Sequence, residues 1–198
     1  VRTVVDDRQI PGQFILTGSN AVDKSQIHHS GVGRIARLRM LPMSLWESQE
    51  STGEVSLKEL FNNPDYDIDG KMSKMTVEEL IFAASRGGWP ASLLARTPKA
   101  QLLVAKNYVQ TICSNDISSI DGKKRDARLT SMILRAYARN VSTLVKKKSL
   151  LDDVTSSGEV SCHVDTFDDY VAALEKLFVI QNISAWCPAI RSKTAIRS

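Results

Sequence analysis

Between Asp126 and Phe178 apolar residues return three times at the spacing of one helix face. Leu129, Met132, Ile133, Ala136 and Tyr137 share a face within Asp126 to Asn140, and Thr143 to Val154 reads as a further helix. In the third pattern Phe167, Tyr170, Val171, Leu174, Leu177 and Phe178 recur, with Asp165 placed to cap and Asp168 in the first turn. Val179 to Ile183 then leaves as an extended apolar segment, and Ile190 to Arg197 alternates as its hairpin partner. Three helices followed by a two-stranded ribbon is the order of a winged helix, so residues 126–198 are expected to form a winged-helix-like domain.

The first half is mixed. After an opening that reads as a helix end, Gln13 to Thr17 is an apolar run between turn signals, as in a strand buried on both faces. Arg34 to Met40 alternates and reads as a second strand. Ser48 to Met75 is polar and acidic, with one short helix expected around Leu57 to Phe61. Thr76 and Glu79 form a capping box, and Gly87-Gly88 stops that helix. Thr97-Pro98 starts another, running to about Cys113 with Leu102, Ala105, Tyr108, Val109 and Ile112 on one face. The fold class expected is mixed, mainly α.

Composition sets the outer limits. With 198 residues, 42% apolar and 24% charged, the chain excludes disorder, collagen-like repeats and a disulfide scaffold. No apolar run approaches the ~20 residues of a membrane helix. The first residues lack the apolar core of a signal peptide, and three scattered cysteines suit a reducing compartment. A cytoplasmic protein without membrane contact is expected. Charge lies in blocks: residues 121–150 hold nine Lys or Arg against two Asp, and residues 151–180 hold seven Asp or Glu against Lys176. Such blocks can neutralise one another within one fold, or the basic one can meet a phosphate backbone.

Few constellations carry chemistry. Asp65, Asp67, Asp69 and Gly70 fall at the spacing of an EF-hand start, but Thr76 stands where the bidentate glutamate belongs, so an acidic loop is the better reading. His28-His29 and Cys162-His163 lack the spacing of a zinc site, and no metal is expected. Arg128, Arg135 and Arg139 share one helix face, which Lys146, Lys147, Arg191, Lys193 and Arg197 could extend toward DNA. The third helix carries Asp165, Asp168, Asp169 and Glu175, which argues against groove reading by that element. The competing reading is an interaction module in which the acidic helix pairs with the basic one. Trp89, in Arg86-Gly87-Gly88-Trp89-Pro90, reads first as a packed core aromatic.

Six segments in order, Phe14 to Ala21, Gly33 to Ser48, Arg86 to Leu93, Asn115 to Asp126, Leu134 to Thr143 and Leu174 to Arg197, resemble bacterial AAA-superfamily ATPases carrying the domain of unknown function 4143. The resemblance implies the end of a P-loop α/β ATPase core over 1–48, a helical connector over 49–125 and the winged-helix-like domain over 126–198. It implies polar sensor roles for Thr17, Ser19 and Asn20 and an arginine-finger role for Arg34. No G-x-x-x-x-G-K-[ST] is present, so ATP and Mg²⁺ belong to an intact parent, with no cofactor and no ATP hydrolysis expected of this chain alone. The partners implied are the rest of the ATPase core and a C-terminal domain. A DNA-binding regulatory module is the alternative.

Overall fold

The computed structural model describes residues 1–10, 12–18, 35–156, 158 and 160–183. Along them run α1 (Arg2–Arg8), α2 (Leu57–Asn62), α3 (Val77–Arg86), α4 (Pro90–Leu93) and α5 (Pro98–Thr111). A π-helical turn (Ile112–Asp116), α6 (Ile117–Ser119), α7 (Ala127–Arg139), α8 (Lys147–Thr155) and α9 (Val164–Lys176) follow. The fold is mainly helical, with no strand among the described residues. Two compact units divide the chain: Arg37–Gln110, and Val1–Ala36 with Thr111–Ser198.

In the unit Arg37–Gln110, local hydrogen bonds do most of the shaping. The α3 capping box forms as its sequence requires: the Thr76 hydroxyl accepts from the Glu79 N–H at 3.2 Å, and the Glu79 carboxylate accepts from the Thr76 N–H at 2.8 Å. Gly87 ends α3 at φ 73, a conformation that favours glycine. The Met43 N–H donates to the Gly88 carbonyl at 2.8 Å, so close that a Cβ on Gly88 would lie 2.1 Å from the Met43 carbonyl oxygen. Trp89 and Tyr108 pack with ring centroids 4.3 Å apart and planes tilted by 49°. Ser92 is buried, its hydroxyl proton shared between the carbonyls of Arg86 and Gln101 at 3.1 and 2.9 Å.

The second unit holds the core. Ile112, Cys113 and Ile117 meet Leu129, Ile133 and Ala136 of α7, Leu150 and Val154 of α8, and Phe167, Tyr170, Ala173 and Leu174 of α9 in burying their side chains. α7 packs against α8, α9 and the π-helical turn, and α6 packs against α9. Asp126 caps α7 by accepting from the Leu129 N–H at 2.7 Å.

Several expectations give way. The two strands do not form: residues 13–18 and 35–40 have no regular structure, and Ile15 is 90% and Leu38 96% exposed. A strand buried on both faces needs neighbours to bond with, and no described residue supplies one. α5 turns Gln101, Val104, Ala105 and Tyr108 inward, whereas Leu102 and Val109 lie exposed. α8 starts at Lys147 rather than Thr143, because Ser142 takes a left-handed φ of 58 and the Thr143 hydroxyl bonds the Asn140 carbonyl at 2.7 Å. His163, not Asp165, is the N-cap of α9, which leaves Asp165 in the first turn. α9 stops at Lys176, and Phe178, at φ 59, is exposed rather than inward. Residues 179–183 form no strand, and Ile190 to Arg197 lies outside the described residues.

Candidate functional site

The densest polar arrangement in the described residues is built around Arg125. Gly122, at φ 74, and Asp121, whose side chain accepts from the Lys123 N–H at 3.1 Å, turn the chain back after α6. That turn carries Arg125 against α6, where its N–H donates to the Ser118 hydroxyl at 3.0 Å. Arg125 is only 7% exposed.

All of its guanidinium donors are engaged. Nη1 donates to the Ile117 carbonyl and to Asp121 Oδ1, both at 2.7 Å. Nη2 donates to Asp121 Oδ2 at 2.7 Å and to Asp169 Oδ2 at 2.9 Å, and Nε donates to Asp169 Oδ2 at 3.1 Å. The fork on Asp121 is bidentate, the geometry in which Arg gains most over Lys. Lys123 Nζ reaches the other Asp169 oxygen at 2.5 Å. The guanidinium carbon lies 5.9 Å from the centre of the Tyr170 ring, and the Tyr170 hydroxyl accepts from the Asp126 N–H at 2.7 Å.

The electrostatics follow from these bonds. Arg125 draws the Asp121 carboxyl down to about 2. Asp169 is lowered too, first by Lys123 and then by Arg125, and Arg125 itself is raised, chiefly by Asp121. With no donor left over, Arg125 is a clasp between α6 and α9 and has nothing to offer a phosphate. Sequence reasoning placed Arg125 merely in the basic block. The signal that could have singled it out is the i, i+4 spacing of Asp121 and Arg125 beside a turn glycine.

A second buried guanidinium lies in the other unit. Arg86, 5% exposed, pairs with Glu50 at 2.5 Å, and its buried Nε has no hydrogen-bond partner. Glu50 is held below the ordinary carboxylate range, most strongly by the Ser48 hydroxyl.

The basic residues expected to meet DNA are only partly gathered. Arg128, Arg135 and Arg139 share the exposed face of α7, as their spacing predicts. Arg139, however, forks onto Asp153 at 2.8 and 2.9 Å, and Lys147 pairs with Asp168 at 2.9 Å. Lys146 is exposed ahead of α8. Arg191, Lys193 and Arg197 lie outside the described residues, as do Ser19, Asn20 and Arg34. Thr17 is exposed in an irregular segment. No cluster of three or more His, Cys, Asp or Glu among the described residues is arranged to hold a metal ion, and no described helix is long and apolar enough to cross a membrane.

Neither the curated proteins nor the solved structures contain a match to this chain. The resemblance to AAA-superfamily ATPases is overturned by the family model that does match, over residues 77–198, which is a different family. Its segments are short turn and helix motifs without a catalytic signature, and the roles it implied for Thr17, Ser19, Asn20 and Arg34 lose the support they rested on. The matched region runs from the first residue of α3 through the Arg125 clasp and α9, and with it the chain belongs to the family described as Domain of unknown function (DUF8612).

Proposed function

We propose that the chain is a helical protein-interaction module. One observation carries the reading: apolar surface stays outward on well-formed helices of the unit Arg37–Gln110. α2 and α5 bury no residue fully, and α3 keeps Val77, Leu80 and Ile81 exposed although its other face is buried. Contiguous apolar side chains held in water are a recurrent mark of partner surfaces. The charge blocks point the same way. Lys123, Arg125, Arg139 and Lys147 are bonded to Asp169, Asp121, Asp153 and Asp168, so much of the basic block is neutralised from within.

A second reading, contact with a nucleic-acid backbone, is favoured by Arg128 and Arg135 lying together on the exposed face of α7. The order α7, α8, α9 is that of the helical part of a winged-helix-like domain, although residues 179–183 form no strand. Titration of the ¹⁵N-labelled chain separates the two readings. An uncharged amphipathic peptide is expected to shift amide signals within residues 77–84, and duplex DNA at low salt is expected to leave the spectrum unchanged. DNA binding that weakens steeply with salt and is lost in Arg135→Ala would replace the interaction module with the nucleic-acid reading.

A further inference from the structure

We infer that the outward face of α3 receives an amphipathic helix of a partner protein that carries lysine or arginine beside its own apolar stripe, an inference that rests on the interaction-module reading. Val77, Leu80, Ile81 and Ala84 stand at i, i+3, i+4 and i+7, which puts them in one line along two turns. They are exposed, the first three by 69%, 49% and 61%. The opposite side of the helix is the one that buries Ala83 and Arg86. α3 thus has an inward face and, separately, a complete apolar stripe in water.

Charge selects the occupant. Glu78 borders the stripe on the Ile81 side and also lines a cavity of about 460 Å³ together with Glu50, Lys74, Met75, Glu79 and Phe82. Three carboxylates stand against the Lys74 ammonium and the Arg86 guanidinium on Glu50, which leaves this margin negative by one charge. Glu79 is engaged by Thr76, and Glu50 by Ser48 and Arg86, whereas Glu78 makes no hydrogen bond or ion pair with any described residue. Its carboxylate is therefore open to a cation from outside.

A second copy of this chain meets these conditions poorly. Antiparallel pairing of two stripes sets Val77 against Ala84 and Leu80 against Ile81, and at the level of Glu78 the other copy brings no lysine or arginine, since Ala83 and Arg86 there face inward. A partner helix with a basic margin supplies both the apolar cover and the missing charge.

The test uses two 18-residue peptides of identical leucine pattern, one with lysine and one with glutamate at the flanking positions, titrated into the ¹⁵N-labelled chain at low salt. The lysine peptide is expected to shift signals in residues 77–84 and to bind roughly three- to tenfold tighter than the glutamate peptide, as one or two exposed ion pairs allow. Glu78→Gln should close that gap, and Ile81→Asp should abolish binding of both peptides without changing the circular dichroism spectrum. Equal binding of the two peptides, lost in Ile81→Asp, overturns the basic partner and leaves the interaction module standing. Failure of both peptides to perturb residues 77–84 overturns the two readings together. Self-association in sedimentation velocity that Leu80→Asp removes overturns the inference in favour of a second copy.

Discussion

Residues 111–183 and residues 37–110 are both helical, yet they are held in different ways. Apart from Ala83, every buried apolar side chain among the described residues lies between Ile112 and Ile180. That region packs five successive helical elements around one core and ties them with long-range ion pairs. The region 37–110 buries Ala83, Arg86 and Ser92, and otherwise relies on caps, tight turns and one aromatic contact. Regular helices therefore do not imply a deep core. Caps and propensity can define a helix, but burial of a face is what usually makes it stable.

Substitutions in the core test this contrast most strongly. Phe167→Ala, at a side chain 1% exposed, should lower unfolding free energy by about 3–5 kcal/mol, read from the shift of the urea midpoint. Leu80→Ala on α3 should change it by less than about 1 kcal/mol, since half of that residue already stands in water. Equal costs at the two positions would break the comparison.

Arg125→Met should cost about 3 kcal/mol in the same measurement, because the Ile117 carbonyl loses the guanidinium and Asp121 and Asp169 keep only their bonds to Lys123. In the other region Gly88→Ala should cost about 1–3 kcal/mol. Its effect should be local, appearing as faster hydrogen exchange at the Met43 amide, whose bond to Gly88 cannot survive the added Cβ.

Acid sharpens the picture further. The Asp121 carboxyl sits at about 2 in the folded chain against 3.8 ordinarily, so the unfolded chain binds the proton more readily. The stability this contributes is full above about pH 4 and is lost as pH falls toward about 2. The melting-temperature gap between the wild type and Asp121→Asn should therefore narrow between those values. One substitution should bring a gain: Ser142→Gly should raise stability by up to about 1 kcal/mol, since Ser142 is exposed at φ 58 and glycine takes that conformation without strain.

Much of the helical framework was legible in the residues. The Thr76–Glu79 box, the start of α7 at Asp126 and the repeating apolar positions of α7, and of α9 as far as Leu174, are signals within four residues of one another, and these appear in place. The candidate site was legible only in part. The shared face of Arg128, Arg135 and Arg139 follows from spacing, but the pairing of Arg139 with Asp153 or of Arg125 with Asp169 does not, because the partners are 14 and 44 residues apart. The strand patterns misled for a related reason. Alternation and an apolar run describe what a strand could bury, and Gln13–Thr17 met no neighbour to bury against among the described residues.

What local chemistry alone decided, then, is where the chain coils and where most of those coils begin and end, since backbone dihedrals and caps act over one or two turns. Which helix faces turn inward, which carboxylate neutralises which cation, and that an apolar stripe on α3 is left in water were decided only when distant segments met. Burial and charge pairing are properties of neighbours in space, and several alternative neighbours satisfy the same sequence pattern equally well.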